Sequence, residues 1–199
     1  MTARFIAFEG GDASGKTTQA RRVARHLGAI FTREPGGTDL GETLRDLVLE
    51  PQAHVDLRAE ALMIAAARAQ HVAEVIRPAL DADQSVVTDR FTASSIVYQG
   101  FGSGLDVEAV RQLSAFATAG LTPHLTVLID VPTDVSLGRL GDAPDRFERE
   151  AAEFHARVRA GYLELAEGDP TWVVIDGSGS LEDVGNAVDA ALAPHLDGA

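Results

Sequence analysis

Residues 10–17 read Gly10-Gly11-Asp12-Ala13-Ser14-Gly15-Lys16-Thr17, which matches the phosphate-loop pattern G-x-x-x-x-G-K-[ST]. This stretch restricts the fold more than any other. The pattern works only where a β-strand runs into a glycine-rich turn and then directly into a helix. Backbone N–H groups then close on a phosphate, and the helix N-terminus adds its positive dipole end. The flanks agree: Phe5-Ile6-Ala7-Phe8 is strand-like, and Thr17-Thr18-Gln19-Ala20-Arg21 opens a helical period. Among the 17 lysines and arginines, Lys16 is the only lysine. Arginine is a wide planar fork and lysine a compact charge on a thin stem, so a loop wrapped around a phosphate admits the second and not the first. Gly10, Gly11, Asp12, Ala13, Ser14, Gly15, Lys16, Thr17 and Thr18 are therefore the candidate nucleotide contacts. Lys16 is expected on the β- and γ-phosphates and the Thr17 hydroxyl on Mg2+.

Around this loop, short apolar runs alternate with helical stretches. Strands are expected at residues 5–8, 29–32, 85–88, 125–129 and 172–175. Helices are expected at about 16–27, 40–49, 57–82, 107–119, 134–140, 145–167 and 181–192. Most strand candidates are continuous apolar runs, the pattern of parallel strands covered on both faces. The alternation predicts an α/β fold with a parallel sheet flanked by helices. The 199 residues, 45% apolar and 24% charged, fit a single domain spanning 1–199, with no linker long enough to divide it. Gly100-Phe101-Gly102-Ser103-Gly104 reads as a loop, and Gly141-Asp142-Ala143-Pro144 as a break between two helices. The net charge of −13 argues against partners such as nucleic acid or an anionic membrane. With no cysteine, disulfides, thiolate metal sites and cysteine nucleophiles are excluded. No apolar run approaches the ~18 residues of a membrane helix. The first residues lead into a strand rather than a signal peptide, so a cytoplasmic location is expected.

In open parallel sheets, ligands sit outside the carboxyl ends of the strands. Asp89-Arg90 follows the third strand candidate, Asp130 the fourth and Asp176 the fifth. Asp89 is placed to bind Mg2+ or to cap a helix, and Arg90 to clamp a phosphate or form a salt bridge. Leu57, Ala61, Ile64, Val72 and Val75 share one face of the long helix candidate at 57–82, and Arg68 falls within it. A charge there is costly unless paired. Arg68 either meets an internal carboxylate or hydrogen-bonds a polar ligand in a pocket. Arg139, Arg146 and Arg149 flank residues 141–144. Arg139 and Arg146 are candidate arginines of a lid at about 139–149 that closes on phosphates; a helix C-terminus for Arg139 and i,i+4 pairing for Arg146 are the simpler alternatives.

Four segments resemble the thymidylate kinase (dTMP kinase) family: Phe8-Glu9-Gly10-Gly11-Asp12; Arg33-Glu34-Pro35-Gly36-Gly37-Thr38; Asp89-Arg90-Phe91 with Ser94-Ser95 and Tyr98-Gln99; and Asp145-Arg146-Phe147-Glu148. The resemblance implies a P-loop NTPase fold with a five-stranded parallel sheet and a homodimer. It implies transfer of the ATP γ-phosphate to dTMP with Mg2+, in dTTP biosynthesis. It also implies that Asp12 meets the sugar 3′-hydroxyl, Arg45 and Arg90 hold the dTMP phosphate, and Arg68 and Gln99 address the thymine. Tyr98 would lie near the sugar 2′ position, and Glu34, Ser94 and Ser95 would line the same site. Some members carry an arginine where this chain has Ala13, which implies a catalytic arginine from the lid. Members commonly read L-L-F-A-A-D-R, with the Phe stacked on the base; here the stretch is Leu62-Met63-Ile64-Ala65-Ala66-Ala67-Arg68, so Ile64 stands at that place. The acceptor is a phosphate monoester, already anionic near neutral pH, so no general base is needed. Kinases of another deoxynucleoside monophosphate, such as dUMP, are the nearest alternative. A GTPase switch would need an N-K-x-D motif, which the lone Lys16 cannot supply.

Overall fold

The five expected strands form, each running one residue further at its carboxyl end: β1 (Phe5–Glu9), β2 (Ile30–Arg33), β3 (Val86–Asp89), β4 (Leu125–Asp130) and β5 (Trp172–Asp176). That extra residue is charged in every case, so Glu9, Arg33, Asp89, Asp130 and Asp176 form a polar rim. The computed structural model describes residues 3–52, 54–139 and 145–196. All strand pairings are parallel, in the order β2-β3-β1-β4-β5. β1 therefore lies at the centre, and every residue of it is buried.

The helices are α1 (Lys16–Leu27), α2 (Asp39–Leu49), α3 (Leu57–His71), α4 (Arg77–Asp81), α5 (Thr92–Ser95), α6 (Val107–Thr118), α7 (Thr133–Leu137), α8 (Ala152–Ala166) and α9 (Leu181–Leu196). They cover both faces of the sheet, as period-2 alternation in β1 requires. Ile6 and Phe8 pack with Ala20, Val23 and Ala24 of α1 and Val184, Val188 and Leu192 of α9. Phe5 and Ala7 face the other way, toward Val72, Ile76, Ala79 and Phe91. Burying each phenylalanine contributes about 1.5–3 kcal/mol. A third cluster joins Val97 and Tyr98 to Phe154, Val158 and Tyr162 of α8.

Four elements differ from the sequence expectation. The long helix at 57–82 is continuous, but Val72–Ile76 is a π turn between α3 and α4. The extra residue rotates the stripe, so Ile76 is fully buried and Val75 only partly. Pro78 follows in α4; it has no N–H to donate and its ring crowds the carbonyl four residues back, which a π turn relieves. The expected loop at 100–104 begins instead as helix: α5 continues into a π segment, Ile96–Gly102. Its glycines serve packing, since a Cβ on Gly102 would lie 2.6 Å from the Phe154 ring and one on Gly100 3.1 Å from Val107. Finally, the helix expected at 145–167 begins only at Ala152, and residues 146–149 form a turn. Asp145 Oδ1 accepts from the Phe147 and Glu148 N–H groups, both at 2.9 Å, which satisfies that backbone locally. The helix expected at 134–140 is the shorter α7; the expected break at 141–144 lies outside the described residues.

Candidate active site

The phosphate loop follows the central strand. Gly10 has φ +146°, and a Cβ there would stand 2.5 Å from the Ile129 carbonyl oxygen, so only glycine fits. Gly15, at φ +86°, turns the chain into α1. Lys16 is buried, and its Nζ donates to the Gly11 carbonyl at 3.0 Å. Burial lowers the pKa of this ammonium and Arg90 adds to the effect, against the pull of Asp89, Asp12 and Glu9. The register of β1 on β3 sets Asp89 beside Phe8, level with the start of the loop. Thr17 Oγ1 donates to Asp89 Oδ2 at 2.5 Å, while the buried Asp89 Oδ1 has no hydrogen-bond partner. A hydroxyl and a carboxylate with an unsatisfied oxygen, next to a phosphate loop, fit Mg2+, which takes one or two carboxylates together with phosphate oxygens and water. The other two strand-end aspartates are engaged. Arg159 holds Asp130 with two hydrogen bonds of 2.7 and 2.9 Å, and Asp176 accepts from the Ser178 N–H at 2.9 Å.

Arg90 joins the loop to the opposite wall. Its Nη1 donates to the Gly10 carbonyl (3.2 Å), Ser94 Oγ (3.0 Å) and Tyr162 OH (3.3 Å). Its Nη2 donates to Asp12 Oδ1 (2.5 Å) and Tyr98 OH (3.1 Å). The residue sits at φ +70°, a left-handed conformation that costs a non-glycine residue about 1–3 kcal/mol and concentrates at functional sites. Burial pushes the Asp12 carboxyl up, but Arg90, Lys16 and the Tyr98 hydroxyl outweigh it and hold the group below the usual carboxylate range. Beneath this pair lies Glu9, fully buried. Its Oε1 accepts from the N–H groups of Phe91 (2.8 Å) and Ser94 (3.2 Å), and its Oε2 from Ser94 Oγ (2.6 Å) and Tyr162 OH (3.0 Å).

The far wall is built from α3 and the segment after α5. Arg68 meets both sequence alternatives: it is paired and it lines the cleft. Its Nε donates to Glu34 Oε2 (2.6 Å), Nη1 to Ser95 Oγ (3.0 Å) and Nη2 to the Phe91 carbonyl (3.0 Å). Glu34 Oε1 is held in turn by His71 Nδ1 at 2.9 Å, and His71 Nε2 by Thr32 Oγ1 at 2.6 Å. Gln99 Nε2 donates to Glu60 Oε1 at 2.8 Å. Arg45 donates to the Pro35 carbonyl at 2.8 Å; burial and the nearby Arg33 lower its pKa.

One cleft of about 280 Å³ gathers most of the expected residues. On the phosphate-loop side it is lined by Asp12, Ala13, Lys16, Thr17 and Asp89. On the other side stand Glu34, Arg45, Ile64, Arg68, Arg90, Ser94, Ser95, Tyr98 and Gln99. The two lid candidates lie elsewhere. Arg139 donates to the carbonyls of Gly177 (3.1 Å) and Ser178 (3.4 Å). Arg146 pairs with Glu60 rather than Glu150 and donates to the Val48 carbonyl at 2.9 Å. Residues to which the sequence reading gave no role also matter: Arg33, Asp145, Phe147 and Glu148, all within the family segments, line the cleft, and Glu9 and Glu60 support it. Glu60 was findable, since Glu60, Ile64 and Arg68 follow one another at a spacing of four on α3.

Comparison with known proteins gives one family throughout. The family model described as Thymidylate kinase matches residues 8–188. A thymidylate kinase of Chromobacterium violaceum is 50% identical over 202 residues, covering 98% of this chain and 93% of that protein. One of Neisseria gonorrhoeae is 45% identical, covering 98% of this chain and 99% of that protein. The crystal structure of thymidylate kinase from Ehrlichia chaffeensis superposes with a TM-score of 0.79 at 33% identity, covering 96% of this chain and 99% of that one.

The site also predicts a pH effect on stability. Burial raises the Glu9 pKa, and the hydrogen bonds from Ser94, Phe91 and Tyr162 and the charge of Arg90 only partly offset it. The folded chain therefore holds this proton more tightly than the unfolded chain. As pH rises above the ordinary value of 4.5, the unfolded chain ionises first and stability falls. Glu9→Gln should flatten that decline, seen as a smaller change in melting temperature between about pH 5 and 8. Parallel curves for variant and wild type would refute it.

Proposed function

The chain belongs to the thymidylate kinase family, and on that premise we propose how its residues divide the work of phosphoryl transfer. The enzyme is a nucleoside monophosphate kinase that phosphorylates dTMP to dTDP, with ATP as the phosphate donor. The carrying observation is that the buried Lys16 of the phosphate loop and a second cationic group, Arg45 and Arg90, open into the same cleft. In a chain of net charge −13, that local concentration of cations is where two anionic nucleotides can meet.

In our reading Lys16 and the loop N–H groups of residues 10–18 hold the ATP phosphates. Arg45 and Arg90 hold the dTMP phosphate in line, so that its oxygen attacks the γ-phosphorus and ADP leaves. Asp12, fixed by Arg90 and Tyr98, is left to orient the sugar, and Ile64, Arg68 and Gln99 surround the base. Mg2+ is the proposed cofactor: Thr17 and Asp89 would hold it, and when bound it supplies charge neutralisation at the phosphates. Arg139, by leaving its present partners, or Arg146, from its place on Glu60, completes the site from a lid at about 139–149. We further propose that the chain works as one kinase domain in the cytoplasm. Among the described residues no helix is long and apolar enough to cross a membrane. A homodimer accounts for the large apolar side chains left in solvent on three neighbouring helices. Leu47 on α2 is 54% exposed, Leu62 on α3 58% and Phe116 on α6 87%.

A coupled assay of ADP release with ATP and each nucleoside monophosphate tests the reaction, with dTMP expected to be the preferred acceptor. Lys16→Ala should lower kcat by about a hundredfold or more while the melting temperature stays near wild type; wild-type turnover would end the assignment. Asp89→Asn should raise the Mg2+ concentration for half-maximal rate by about tenfold or more, and an unchanged Mg2+ curve would remove Asp89 from the metal site. Sedimentation should show a dimer that Leu62→Glu with Phe116→Glu dissociates; a monomeric wild type would refute it.

A further inference from the structure

Gln99 reaches the cleft with an amide whose two ends read opposite partners: the carbonyl accepts and the NH2 group donates. Which end faces a ligand is set by what holds the other. Here Nε2 donates to Glu60 Oε1 at 2.8 Å, with Gln99 2% and Glu60 0% exposed. The second carboxylate oxygen, Glu60 Oε2, is taken by Arg146. That guanidinium is anchored by the Val48 carbonyl at 2.9 Å and by the Phe147 ring, whose centre lies 4.6 Å away. A carboxylate paired with a guanidinium accepts hydrogen bonds and does not donate them. Glu60 therefore permits one amide orientation, with the nitrogen inward. The oxygen Oε1 is the end left for the cleft that Gln99 lines beside Ile64 and Arg68.

Resting on the reading of this cleft as the dTMP site, we infer that Glu60 is a positioning residue that makes the pocket select bases carrying an imide N–H. Thymine and uracil present N3–H, a donor, beside a carbonyl oxygen. Cytosine presents a bare N3 acceptor beside an amino group. A fixed Gln99 Oε1 accepts from the first and is repelled by the second. Arg68, a donor at every nitrogen, favours a carbonyl oxygen over an amino group and acts in the same direction. Leaving buried polar groups mismatched is what lets a site reject a near-isostere strongly.

The test is Glu60→Gln, which keeps shape and removes the rule. Arg146 takes the new amide oxygen, so the new NH2 group turns toward Gln99 and accepts no proton from it. Gln99 then flips and shows its own NH2 to the cleft, matching cytosine N3. The ratio of kcat/KM for dTMP over dCMP should fall by about tenfold or more, while the ratio for dTMP over dUMP and the KM for ATP stay unchanged. A dTMP over dCMP ratio equal to wild type, however much rate is lost, overturns the proposal, because a purely structural role lowers every acceptor together. Adding Glu60→Gln to Gln99→Leu should move the ratio no further; an additional fall would also overturn it. Should Glu60→Gln fail to fold, a crystal structure of the wild type with dTMP decides. Gln99 Nε2 must remain on Glu60 with Oε1 on the base N3, and an amide turned away from Glu60 refutes the proposal. A wild type that transfers phosphate to neither dTMP nor dUMP would instead overturn the reading of the cleft itself, and is seen before any variant is made.

Discussion

The guanidinium of Arg90 is the contact on which the two halves of the cleft depend. It bonds the Gly10 carbonyl and Asp12 on the phosphate-loop side and Ser94, Tyr98 and Tyr162 on the other. An arginine buried without partners would cost several kcal/mol. Here the partners come from the loop after β1, the segment after β3 and α8, so satisfying one cation requires three distant pieces of chain to meet. The left-handed backbone at Arg90 is the local strain that delivers the side chain there. The electrostatics follow: Asp12 is held ionised, and although burial pushes the Arg90 pKa down, Tyr98, Asp12, Tyr162 and Asp89 together raise it.

Carboxylates do the corresponding work behind the cleft. Glu9, Glu34 and Glu60 are each almost wholly buried; Glu9 and Glu60 each hold groups from two other segments, and Glu34 holds two side chains of α3. Glu9 ties the chain after Arg90 to α8, Glu34 ties Arg68 to His71, and Glu60 ties Gln99 to the turn containing Arg146. The cleft's cations and amides are thus set by buried acidic groups, of which Glu34 also lines the cleft. A fully connected polar network of this kind is rigid because any broken member leaves another unsatisfied in a low-dielectric interior.

Much of this was legible in the chain itself. The phosphate-loop pattern carried Lys16 and Thr17, and the strands were visible because parallel strands buried on both faces are continuous apolar runs. Asp89 and Arg90 could be placed because strand ends define the ligand side of such a sheet. The stretch at 92–102 was not legible. Residues 92–99 suggested no element and the glycines of 100–104 a loop, and packing on Phe154, Val158 and Val107 makes the stretch helical. The buried carboxylates were hidden for a related reason. Tyr162 lies 153 residues from Glu9, and Arg146 lies 86 from Glu60, so neither pairing leaves a local pattern. Arg68 shows the same limit in milder form: its place in an apolar stripe announced a partner, but the sequence could not say that the partner and the pocket would coexist.

Lys16 is the only lysine among 199 residues, and it lies in the floor of the phosphate loop. Spectroscopy inherits an advantage from this. An isotope placed on lysine side chains reports from a single ammonium group, with no assignment problem and no background from the surface. With Lys16 in its proposed role, that resonance would respond to a phosphate entering the loop, so nucleotide arrival and release could be watched in the unaltered protein.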